Sequence, residues 1–171
     1  MERLTEPVIV DEEEPTKTFY FVNATALESL KDRVTPTSEY FGLFLAVDAS
    51  LVEEETVREV ATALLRRGLV CLCVWGTNCE RIHDLFDEAD RPIHPDHWAG
   101  ETGDVVMTTC HEGESLEYSL WYFTFCAYPT ASYQSNCKDW IVVSVSSEEW
   151  TTAIREKLPK IVLGEIEPAD G

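Results

Sequence analysis

Positive charge is what this sequence has least of: 13 lysines and arginines face 32 aspartates and glutamates, a formal net charge of −19. Such a surplus repels nucleic-acid phosphates and anionic lipid surfaces before contact, so neither nucleic acid nor membrane is an expected partner. No apolar run approaches the roughly 20 residues needed to span a bilayer; the richest segment, 116–128, is shorter and bordered by acids. Residues 1–15 carry six acids, one arginine and no apolar h-region, unlike a secretion signal, which predicts a cytoplasmic protein. Neither GxGxxG nor GxxxxGK[ST] occurs, nor a CxxC pair, nor HExxH. NAD, FAD and ATP are therefore disfavoured, and no cofactor is expected.

What is present suffices for one good core, with 171 residues that are 44% hydrophobic and 11% aromatic. Cys71 and Cys73 alternate inside LVCLCVW, where strand geometry puts both on one face, so buried reduced thiols are the simpler reading of the six cysteines. Residues 1–16, with the run VDEEEPT, read as an acidic flexible arm, residues 17–163 as a single α/β domain, and 164–171 as a tail.

Within the domain, TFYFV (18–22) reads as a strand and 24–33 as a helix capped by Asn23. The continuous apolar runs 40–48 and 69–75 have the pattern of strands covered on both faces. Between them, Ser50 is a predicted cap for a helix with Glu53, Glu54 and Glu55 in its first turn, Arg66 and Arg67 in its last, and Gly68 beyond it. Further helices are predicted at 77–90, 116–128 and 147–158, strands at 104–109 and 140–145, a loop over 91–103, and a short strand in KIVLGEI. This alternation predicts a single three-layer domain, an open, mainly parallel sheet of about five strands with helices on both faces, flavodoxin-like or Rossmann-like.

In such sheets ligands gather beyond the carboxyl ends of the strands. That rule selects Asp48, His111 and Glu112 as candidate catalytic residues, within a polar rim that has no lysine or arginine. Cys110 and His111 are sequence neighbours in an extended segment at a strand end and so point to opposite faces, poorly placed as a nucleophilic dyad. Cys79 and His83 (i, i+4) with His94 and His97 are the candidate metal ligands, although their spacing matches no compact zinc motif. The helix from Leu116 is apolar all round, and Tyr118, Tyr122 and Tyr128, with Trp98, are candidate partner-binding residues.

The segment TTCHEGESLEYSLWYFTFCAYP after DVVM resembles a pattern in small bacterial proteins of unknown function, in which a TTxHE turn leads into a Leu- and aromatic-rich helix. Those proteins often carry an aromatic residue before the histidine, where this chain has Cys110. The resemblance implies a bacterial, cytoplasmic α/β protein and transfers no catalytic residue. Two functions follow from the residues. One is a protein-binding, immunity or antitoxin-like domain that neutralises a partner with a basic surface, or pairs with itself as a homodimer. The other is a small hydrolase or nucleotide-processing enzyme built on Asp48, His111 and Glu112, with or without a divalent metal. The charge and the lack of a catalytic motif favour binding over catalysis.

Overall fold

The computed structural model describes residues 1–9, 16–99 and 104–168. Six strands, β1 (Glu2–Arg3), β2 (Thr18–Ala24), β3 (Tyr40–Ala46), β4 (Leu69–Trp75), β5 (Met107–His111) and β6 (Cys137–Val145), form one sheet in the order β1-β2-β6-β3-β4-β5. Every pairing is parallel except the antiparallel addition of β1 to β2. The fold is the open three-layer α/β sheet that the alternation predicts.

The helices are α1 (Leu30–Arg33), α2 (Glu54–Leu65), α3 (Cys79–Ile93), α4 (Pro95–Ala99), α5 (Leu116–Phe125), α6 (Ala131–Gln134) and α7 (Glu148–Val162). On one face α1, α2 and α3 bury Leu30, Val57, Leu64, Ile82 and Phe86 against Leu43, Leu45, Leu72 and Val143. On the other, α5 and α7 bury Leu120, Phe123, Ile154 and Leu158 against Phe19, Phe44, Cys73 and Trp140. Because side chains alternate along a strand, β3 and β4 feed both cores, which is why they are apolar throughout.

Several local expectations are corrected. Asn23 lies inside β2 and caps nothing; the segment after it turns through a 3-10 stretch, Leu27–Ser29, before the single turn of α1. Ser50 does not cap α2. Asp48 caps the intervening 3-10 turn, accepting from the Ser50 amide at 3.0 Å and the Ser50 hydroxyl at 2.6 Å, and α2 starts after Glu53. The glycine stop holds: Gly68 has φ +100, and a Cβ there would strike the Glu39 carbonyl oxygen.

In place of a loop over 91–103, α3 runs on to Ile93 and α4 follows; residues 100–103 lie outside the described residues. KIVLGEI is not a strand, because Ile154, Leu158 and Ile161 extend the buried stripe of α7 past Pro159. The N-terminal arm is partly structured, since Glu2 and Arg3 pair with Phe21 and Tyr20, and Val8 pairs with Lys17. The acidic stretch 10–15 lies outside the described residues.

Candidate functional site

Strand order creates the first candidate site. The chain leaves β3 through α2 on one face and leaves β6 into α7 on the other, so the two connections diverge at the carboxyl ends of neighbouring strands. A cleft of about 460 Å³ opens there. Its polar lining includes Thr25, Glu28, Asp48, Glu53, Thr56, Ser146 and Ser147, with Trp150 on one wall, and among the described residues no lysine or arginine lines it.

The cleft walls are pinned from the ends of β2 and β6. Ser146 holds φ +57, outside the usual range for a residue with a side chain, because its amide donates to the Ala24 carbonyl at 2.8 Å and its hydroxyl to the Thr25 carbonyl at 2.6 Å. Ser147 caps α7 by accepting from the Trp150 amide.

The second site lies where β4 and β5 end. His111 closes β5 opposite Trp75 and is only 5% exposed. Its Nδ1 lies 2.7 Å from Glu114 Oε2, its Nε2 3.1 Å from Thr109 Oγ1, and its ring 4.7 Å from the Tyr122 ring. Thr109 in turn donates to Cys73 Sγ at 3.1 Å.

Electrostatics make Cys73, His111 and Glu114 one chain. Burial pushes the Cys73 thiol up, but hydrogen bonds from Cys71, His111 and Thr109 outweigh it and hold Cys73 at about 6. Burial pushes His111 down, yet Cys73 and Glu114 more than offset it, so the imidazole is raised above its ordinary value. Cys71 is driven well up by its hydrogen bond to Cys73 and by burial. A thiol, an imidazole and an orienting carboxylate are the parts of a nucleophilic triad. Here Cys73 has no exposed surface, so the chain ties β4, β5 and the start of α5 together without presenting a nucleophile.

The three candidate catalytic residues separate. Asp48 lines the cleft and bonds to Ser50, His111 faces Glu114, and Glu112 Oε1 accepts from the Asn78 amide at 3.0 Å. No hydrogen bond among the described residues joins any two of them. Cys110 and His111 do point to opposite sides of the sheet: Cys110 packs with the α3 face, while His111 lies against Tyr122 of α5.

The candidate metal ligands do not form one set: Cys79 and His83 lie apart, while His94 and His97 come together with Asp90, their ligand atoms within 4.8 Å of one another. Cys79 meets Cys110 and Glu112, all three with ligand atoms within 4.8 Å of one another. Burial, together with a hydrogen bond to Cys110, pushes the Cys79 thiol up to about 12. His83 bonds to Thr108 Oγ1 at 3.0 Å and to Asp84 at 3.2 Å. His94 and His97 stack 4.5 Å apart and turn Nδ1 toward Asp90, at 2.6 and 3.4 Å.

Asp90 is buried and also accepts from the Trp98 indole at 2.9 Å. It was not singled out in the sequence, where its place four residues before His94 and seven before His97 is the only signal.

Of the candidate partner-binding aromatics, Tyr122 covers His111, Tyr128 lies 4.2 Å below the Lys17 ammonium, and Trp98 sits on α4 with the Arg91 guanidinium 4.7 Å above it. Tyr118 instead joins a row that the four candidates did not include: it stacks on Trp121 at 6.0 Å, and Trp121 meets Phe125 at 5.9 Å. All three are half-buried, and Trp121 and Phe125 also pack against the core under α5. Their i, i+3, i+7 spacing is the signal that places them on one side of α5.

Among the described residues no helix is long and apolar enough to cross a membrane. Comparison with curated proteins and with solved structures returns no match. A family model does match residues 19–161, from the second residue of β2 to the last turn of α7, and therefore takes in the cleft, the His111 chain and the aromatic row. The chain belongs to that family, described as a domain of unknown function, DUF7684.

Proposed function

We propose that this chain is a protein-binding domain, immunity or antitoxin-like in its action, that covers a basic surface on another protein with the aromatic side of α5. The observation that carries the reading is the aromatic row Tyr118–Trp121–Phe125, only partly buried along α5. Rigid aromatics bury much area at small entropic cost and dominate interface energies. The net charge of −19 draws a cationic partner from a distance. The cleft favours a second reading, a small-molecule site. With Glu28, Asp48, Glu53 and hydroxyls, and no lysine or arginine among the described lining residues, it suits a neutral or positively charged ligand and not a phosphate.

The test is capture of binding proteins from the native cell extract on the immobilised chain, at low and high salt, beside the variants Trp121→Ala and Asp48→Asn. A basic protein retained at low salt, released at high salt and lost with Trp121→Ala supports the binding reading, because exposed charges are screened within about 3 Å at 1 M salt. Capture that survives Trp121→Ala, or no capture at all, overturns it. Loss with Asp48→Asn alone moves the function to the cleft. Retention of the chain's own copies, checked by light scattering, identifies a homodimer in place of a foreign partner.

A further inference from the structure

We propose that Cys79, Cys110 and Glu112 form a three-ligand site for a thiophilic divalent cation of the zinc class. Their ligand atoms, two Sγ and one carboxylate oxygen, all lie within 4.8 Å of one another. A filled tetrahedral site with Zn–S bonds of about 2.3 Å brings two sulfurs to within about 3.8 Å, so small side-chain rotations close the set. Two sulfurs and one oxygen select soft or borderline metals over Mg²⁺ or Ca²⁺, which take oxygen ligands. Three protein ligands leave the fourth tetrahedral position for water, the pattern of zinc sites that remain open to exchange.

The scaffold holds the set from two separate segments. Cys79 opens α3, Cys110 is the fourth residue of β5, and Glu112 begins the turn after β5. The Asn78 amide, 3.0 Å from Glu112 Oε1, orients the carboxylate as an outer-shell partner orients a metal ligand. Burial is graded, with Cys79 sealed, Cys110 half-buried and Glu112 exposed, so an ion enters from the Glu112 side and ends on the inner thiolate. Binding releases the two thiol protons to solvent and leaves two thiolates and one carboxylate around a double positive charge, a net of −1 at the site. The ion then clamps the end of β5 to the start of α3. This site shares no residue with the aromatic row of α5 and stands or falls separately from the binding reading.

The experiment titrates the full chain, purified under reductant and stripped with chelator, with Co²⁺ and then Zn²⁺. One equivalent of Co²⁺ should give the thiolate-to-cobalt charge-transfer absorption with intense tetrahedral d–d bands, and Zn²⁺ should bleach both. Cys79→Ser and Cys110→Ser should each lose most of the charge-transfer intensity. Glu112→Gln, at an exposed position that leaves the fold intact, should weaken affinity at least about 10-fold, the scale of outer-shell losses alone. Cys126→Ser, which removes an exposed thiol outside the cluster, should change nothing. Absence of a thiolate band, a band unchanged in Cys110→Ser and Glu112→Gln, or a Cys79–Cys110 disulfide that opens under reductant without then taking up metal would each overturn the proposal.

Discussion

His111 Nδ1 and Glu114 Oε2 stand 2.7 Å apart, so the last residue of β5 is bonded to the turn that launches α5. The opposite ring nitrogen faces Thr109, next to Cys73, and the imidazole therefore carries charge between a carboxylate and a thiolate. Folding raises His111, so the stability it contributes is complete below about 6.5 and is lost as pH rises through its higher folded value. Cys73 runs the other way: its folded value is depressed, and its contribution is lost as pH falls through about 6. The charged pair therefore exists in a window that opens near pH 6 and closes at the raised value of His111. Ultraviolet thiolate absorbance should show one thiol ionising at about 6 in the native chain. In His111→Gln that step should move toward the ordinary thiol value of about 8.5, and stability against urea should fall most inside the window. An unmoved step would remove His111 from the chain of contacts.

Gly42 and Trp140 are register partners on β3 and β6, and the indole occupies the space that a side chain at 42 would need. A Cβ on Gly42 would lie 2.7 Å from Trp140 Cε3. The ring cannot yield, because it is fully buried, with Phe123 5.0 Å away on one side and the Lys17 ammonium 3.7 Å from its face. Gly42→Ala should cost about 1–3 kcal/mol, the usual range for overpacking, in urea unfolding at neutral pH. Gly113→Ala, at a turn where a Cβ meets nothing within 4 Å, separates the steric effect from positive-φ strain, since Gly113 has φ +80 and Gly42 has no such strain.

Asp90 gathers Trp98, His94 and His97 around one buried carboxylate and so fixes α4 against α3. Asp90→Ala leaves the indole N–H and both imidazoles without that acceptor; of these only His97 is nearly buried, so the loss is about 1–3 kcal/mol, the cost of one stranded buried group. The expected result is earlier proteolytic cleavage within 94–99 while the sheet stays folded. Cleavage at the native rate would show that Tyr133, 3.0 Å from His97 Nε2, holds α4 on its own.

These arrangements differ in how far the sequence announces them. The doubly apolar runs of β3 and β4 are local signals, and both strands form where the residues indicate, whereas α2 starts later, at Glu54, and ends at Leu65 with Arg66 and Arg67 beyond its last turn. The insertion of β6 between β2 and β3 has no local signal, because strand order depends on pairings between residues about 100 positions apart, such as Phe44 with Val142. The Cys73–His111 and Cys79–Cys110 meetings are hidden for the same reason. They appear only once Trp75 is set opposite His111, which carries every alternate residue of β5 to the same face as its β4 partner. What did point to the β4–β5 end was the rule that parallel sheets place function at carboxyl ends. It selects His111 and Glu112, which the structure places at that end with different partners, His111 buried on Glu114 and Glu112 exposed on the Asn78 amide, a separation that nothing local reveals.

Phe123 and Trp121 lie two residues apart on α5 and so on different sides of it, which separates stability from binding. Phe123 is fully buried against Phe19, Phe44 and Trp140, and Phe123→Ala should cost about 3–5 kcal/mol through the cavity it leaves. Trp121 is only partly buried, packing at the margin of the same core and against Tyr118 and Phe125, so Trp121→Ala should cost the fold less than Phe123→Ala. Against a basic partner the order should reverse: Trp121→Ala loses about 2 kcal/mol or more, roughly 30-fold in Kd, if the row sits at the centre of the interface. Urea midpoints and titration calorimetry on the same two variants provide the comparison. A Trp121→Ala chain that unfolds as readily as Phe123→Ala would make the row part of the core, and the surface for the partner would then have to lie elsewhere on the molecule.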